Sequence, residues 1–80
     1  MKDRITNQEL TVMIDPQHGS FITLNDYDQF DEVEDILTEK HEIDFLVRFL
    51  KDSSGEEKQY QIFFGSEAEP EKIQNMLNDI

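Results

Sequence analysis

The chain has 80 residues and no cysteine, and its 19 acidic residues outnumber 7 basic ones to give a formal net charge of −12. That excludes a disulfide staple, a thiolate nucleophile and a thiolate metal site. It also predicts repulsion from nucleic acid and anionic membranes, and attraction to basic proteins. Val, Ile, Leu and Phe number 23 of the 80, above the roughly 20% floor of disordered chains. The expectation is one small folded domain over residues 1–80, with dimerisation or a partner adding stability. The first ten residues lack the apolar core of a signal peptide, and no apolar run approaches the ~20 residues of a membrane helix. A cytoplasmic location is expected.

In chain order, Leu10-Thr11-Val12-Met13-Ile14 reads as a first strand with Leu10, Val12 and Ile14 on one face. It ends at Asp15-Pro16, and Gly19 frees a loop of five or six residues before the strand Phe21-Ile22-Thr23-Leu24. Asp26 with Gln29 has capping-box spacing, and Phe30, Val33, Ile36 and Leu37 keep helical spacing over about 27–40. The second half repeats this plan over about 43–80, as the first does over about 9–40. Ile43, Phe45, Val47 and Phe49 alternate, Lys51 to Gly55 turn, and Tyr60, Ile62 and Phe64 alternate on the return. Pro70 suits a helix start, and Ile73, Met76, Leu77 and Ile80 form the last apolar stripe. An offset of 40 pairs Ile22 with Ile62, Val33 with Ile73 and Leu37 with Leu77. The predicted fold is α+β, ββαββα: a four-stranded antiparallel sheet with two helices packed on one face.

Residues 21–44 hold nine acids against Lys40 alone. On a helix, Asp28, Glu32, Asp35 and Glu39 follow steps of four, three and four and form one ridge, with Asp31 beside it. Such a ridge is either a solvated face or a row of carboxylates spaced about 5–6 Å apart, close to the phosphate repeat of a nucleic-acid strand. A row of that pitch fits a basic groove built for DNA.

Other chemistry is weakly represented. His18 and His41 are the only histidines, and with no cysteine they make no zinc set, so no metal or cofactor is expected. Asp26-x-Asp28 lacks the ligands and glycine of a calcium loop. No phosphate-binding glycine loop or catalytic triad assembles, so the chain is not expected to be an enzyme. Leu46, Leu50 and Phe63 oppose the core-facing side chains of the second hairpin, so they mark a possible homodimer or partner face.

The run Asp31-Glu32-Val33-Glu34-Asp35-Ile36-Leu37, continued by Lys40, Glu42, Asp44, Leu46 and Val47, resembles the phage-encoded uracil-DNA glycosylase inhibitors. Ser20-Phe21-Ile22-Thr23-Leu24 stands where that family has a Ser-aliphatic strand, although Gly19 replaces its preceding acid. The resemblance implies an acidic DNA mimic acting in a host cytoplasm, its partner a basic DNA-binding protein such as uracil-DNA glycosylase. It implies that Glu32 and Asp35 imitate phosphates, and that Val33, Ile36, Leu37 and Val47 line a pocket for an apolar side chain of the enzyme. Ser20 would lie at the same interface. The alternatives are a dimerising structural or regulatory module, or a mimic aimed at another defence or nucleoid protein.

Overall fold

A computed structural model describes residues 1–79; Ile80, the last member of the final apolar stripe, lies outside the described residues. The elements run β1 (Met13–Asp15), β2 (Gly19–Leu24), α1 (Tyr27–Glu39), β3 (Leu46–Lys51), β4 (Glu57–Gly65) and α2 (Pro70–Asn78). The strands form one antiparallel sheet in the order β1-β2-β4-β3, and both helices pack on one side of it. The predicted ββαββα architecture is the fold.

The inward face follows from strand alternation. Ile22 pairs with Ile62 and Leu24 with Tyr60, while Val47 and Phe49 join the same two rows from β3. Phe30, Val33 and Leu37 of α1 and Ile73, Met76 and Leu77 of α2 close over Ile22, Leu24, Tyr60, Ile62 and Phe64 in one cluster. Each such large side chain contributes about 1.5–3 kcal/mol by leaving water. The Phe30 ring stacks on Tyr60 at 5.3 Å, and Phe49 meets both edge-on.

Three boundaries differ from expectation. The first strand begins at Met13, because Gln74 of α2 captures the backbone ahead of it: its amide donates to the Leu10 carbonyl (3.0 Å) and accepts from the Val12 N–H (2.9 Å). Leu10 is thereby turned into the core, whereas Ile14, on the edge strand, stays exposed. The first loop has three residues rather than five or six, since Asp15 pairs with Gly19 and the Asp15 carboxylate accepts the Gln17 and His18 N–H groups. The third strand begins at Leu46 rather than Ile43. The Ile43 N–H turns back to the Leu37 carbonyl (3.1 Å), and Glu42 adopts a left-handed φ of 50°.

Gly19 is the one glycine fixed by close approach as well as conformation. Its φ is 82°, and a Cβ there would lie 2.5 Å from the Gly65 carbonyl carbon across the β2–β4 ladder.

Half of the expected capping box forms. The Asp26 carboxylate accepts the Gln29 N–H (3.1 Å). The Gln29 side chain, instead of reaching back, is buried: it donates to the Lys2 carbonyl (2.7 Å) and accepts from the Arg4 N–H (3.0 Å). Gln29 and Gln74 thus hold residues 2–12 against the two helices, one glutamine from each.

Candidate functional site

The outer surface of α1 carries the acidic ridge. An amphipathic helix that buries Phe30, Val33 and Leu37 must turn the intervening positions to water, and Asp28, Asp31, Glu32, Asp35 and Glu39 are all exposed. Among the described residues Asp28, Asp31, Asp35 and Glu39 have no ion-pair partner within 4 Å. Glu32 differs. Arg4 of the N-terminal segment forms an ion pair with it and reaches Asp26 at 3.7 Å. One of the two predicted phosphate imitators therefore already has a cation of its own chain beside it.

The field along the ridge is visible in Glu34, half-buried between Asp31 and Asp35. Burial, and then the charges of those two aspartates, raise its carboxyl above the ordinary glutamate value. Repulsion is thus uncompensated at the centre of the ridge, while its start is relieved by Arg4 and by the positive end of the helix.

The predicted apolar pocket is not open on α1. Val33 and Leu37 are fully buried in the core and Ile36 is half-buried, so Val33 and Leu37 present no surface to a partner. Ser20 is buried as well, its hydroxyl donating to the Ala68 carbonyl at 3.4 Å. Periodicity could not separate core from pocket here, because both demand the same spacing. Val47, by contrast, borders an opening. With His18, Asp44, Phe45, Leu46, Arg48, Phe63, Phe64 and Gly65 it lines a recess of about 530 Å³ where β3 begins and β4 ends.

The residues expected on the open face of the sheet separate too. Leu46 is 77% exposed, Leu50 is half-buried, and Phe63 is buried between the Phe21 ring (stacked, 5.0 Å) and the His18 ring (edge-on, 5.8 Å).

Sequence reasoning missed Asp3. Its buried carboxylate accepts the N–H groups of Ile5 (2.9 Å), Thr6 (3.0 Å) and Asn25 (3.0 Å) and the Asn25 side-chain amide (3.1 Å). Burial alone would raise this carboxyl, but those four donors outweigh it and hold it below the usual aspartate value. Asp3 fixes the N-terminal loop that carries Arg4 to the ridge. An Asp with Ile5 and Thr6 following offered only the pattern of a local turn, and its tie to Asn25 was invisible in the sequence.

Among the described residues no group of three or more His, Asp and Glu side chains could hold a metal ion. No described helix is long and apolar enough to cross a membrane. Protein-family models, characterised proteins and solved structures give no match to this chain.

Proposed function

We propose that this protein is an acidic DNA mimic that occupies the DNA-binding groove of a basic enzyme and blocks it without chemistry of its own. The observation that carries the reading is the row of exposed carboxylates on α1 that lack ion-pair partners among the described residues: Asp28, Asp31, Asp35 and Glu39. They run about 16 Å along the helix at 1.5 Å per residue, long enough to meet several phosphate subsites. Their charge steers association with a basic groove, and binding weakens as salt rises. The short resemblance over residues 31–48 makes uracil-DNA glycosylase the first target to test. An inhibitor of that kind would act in the cytoplasm.

The burial of Val33 and Leu37 shapes this proposal. Contact through α1 is mainly electrostatic, with Asp28, Asp31, Asp35 and Glu39 as the principal groups and Glu32 available once Arg4 lets it go. A second reading, a non-enzymatic dimerising module, is favoured by a separate observation: the exposed Leu46 and Met13 on the opposite side of the sheet.

The experiment is uracil excision from a labelled single-stranded oligonucleotide by a bacterial uracil-DNA glycosylase, titrated with the full chain. Inhibition saturating near one equivalent is expected. Full activity at large excess would remove this target, and loss of binding to every basic DNA-binding protein tried would remove the mimic reading.

A further inference from the structure

The side of the sheet away from the helices carries one apolar row that crosses all four strands. The register places Met13 beside Phe21, Phe21 beside Phe63, and Phe63 beside Leu46. The two ends of the row are open, Met13 at 55% and Leu46 at 77% exposure, while Phe21 is half-buried and Phe63 is already covered by the Phe21 and His18 rings. The next row on one side is Thr23, Gln61 and Arg48. The next row on the other side is Asp15, Gly19 and Gly65, and Asp44 lines the recess at its β3 end. Ionisable groups are sparse here and of both signs, in contrast to the acidic helical layer.

We infer that this face packs against the same face of a second copy, about a two-fold axis running along the row Met13–Phe21–Phe63–Leu46. Such an axis lays each residue of the row on its own counterpart and exchanges the two flanking rows. Arg48 of each chain then lies over Asp44 of the other, giving two reciprocal pairs of opposite charge. The exposed Leu46 side chain stands at the rim of the 530 Å³ recess lined by Phe45, Val47, Phe63 and Phe64. On the axis the two Leu46 side chains meet each other, with the recess of each chain beside them.

Charge favours this occupant over others. A basic protein finds its complement on α1, not on a face where the Asp15 carboxyl is lowered by the Gln17 and His18 N–H groups and then by the charges of His18 and the nearby Arg48. Nucleic acid and anionic membranes are repelled by the net charge of −12. Two chains of that charge can approach only if their acidic layers stay apart, and sheet-to-sheet packing achieves this. Two sheets about 10 Å apart, each with its helices outside, hold the two α1 ridges farther apart than the Debye length of about 8 Å. Area is sufficient as well. A standard interface takes about 800 Å² per partner, a small part of the 5482 Å² surface of a domain measuring 35 × 27 × 22 Å. The inference is independent of what α1 binds, and the dimer would present two outward ridges.

Sedimentation velocity of the full chain across a concentration series tests it, together with a single-cysteine cross-link in this cysteine-free background. The expected results are a shift to the mass of two chains with rising concentration, and an interchain disulfide in Leu46→Cys but not in Glu39→Cys. Leu46→Glu, at an exposed position, should keep the circular dichroism of the parent while raising the dissociation constant by at least about tenfold. A chain that sediments as a monomer at every concentration overturns the inference. So does a dimer that Leu46→Glu leaves intact, or equal cross-linking from both cysteine positions. Glycosylase inhibition is a separate readout, so failure of the mimic reading and failure of this interface are distinguishable.

Discussion

The two broad surfaces of this domain are made from the same residue periodicities and do opposite things. On α1, the positions turned from the core are mostly acidic, and burial together with the charges of Asp31 and Asp35 raises Glu34. On the open side of the sheet, positions turned from the core are Met13, Phe21, Phe63 and Leu46, with Arg48 on one flank and Asp15 and Asp44 on the other. The first surface stores unfavourable charge that a basic partner would neutralise; the second stores apolar area that the same face of a second copy would cover. Under the proposed readings, segregating the two would let a basic protein and a second copy bind at once, because neither surface would spoil the complementarity of the other.

The sharpest way to break this comparison uses two leucines. Leu37 lies within the acidic helix yet is fully buried, while Leu46 lies on the sheet and is exposed. Leu37→Ala should lower unfolding stability by about 2–5 kcal/mol, the range for a deleted core leucine. Leu46→Ala, measured on dilute protein, should change it by less than about 0.5 kcal/mol. Denaturant titration checks both. A small loss at Leu37 would mean that the helix–sheet seam opens, and would return Leu37 to the partner-binding set.

The second expected effect is at Asp3. Asp3→Ala leaves the Ile5, Thr6 and Asn25 N–H groups without their buried acceptor, at a cost of about 2–3 kcal/mol in chemical unfolding. The sign of its pH dependence follows from the lowered carboxyl. The stability that ionised Asp3 provides is present above the unfolded aspartate value of about 3.9 and is lost as pH falls through the lower folded value. Asp3→Ala should therefore flatten the acid limb of the stability profile. An unchanged acid limb would show that other carboxylates govern it.

What could be read from the sequence was the part governed by periodicity: two alternating hairpins, two helical stripes, and the face each turns inward. Positions decided by a single polar side chain were not legible. Gln74 takes the backbone of Leu10 and Val12, so the first strand is shorter than its alternation implies. Gln29 has capping-box spacing, yet it serves the N-terminal segment. Glutamine is normally a surface residue, and nothing local marks one that is matched to a distant peptide group. The ridge was legible as charge, but not its relief: Arg4 reaches Glu32 from 28 residues away. Val33 and Leu37 satisfy core and pocket patterns equally, and only packing decides between them.

The third effect sharpens the electrostatic side. Asp31→Lys with Asp35→Lys should weaken binding to a basic target by about ten- to a hundredfold, or about 1.4–2.8 kcal/mol. Reversal of Glu56 and Glu57, in the β3–β4 turn and at the start of β4, should matter far less, as isothermal calorimetry would register. Equal losses would mean that net charge acts, and not the ridge.

The smallest effect concerns Arg4 and asks whether the ridge is held in check by its own chain. Arg4→Ala removes exposed ion pairs with Glu32 and Asp26, which are worth less than about 1 kcal/mol of folding stability because water screens them. Its consequence for binding has the opposite sign. Glu32 no longer gives up a partner when it enters a basic groove, so affinity should rise slightly and depend more steeply on salt. Glu34, farther along the helix and raised by burial and by its two aspartate neighbours, should titrate as before. NMR titration of the side-chain carboxyls, with binding measured at two salt concentrations, separates these outcomes. A fall in affinity would show that Arg4 itself contacts the target, and that the N-terminal loop belongs to the binding surface.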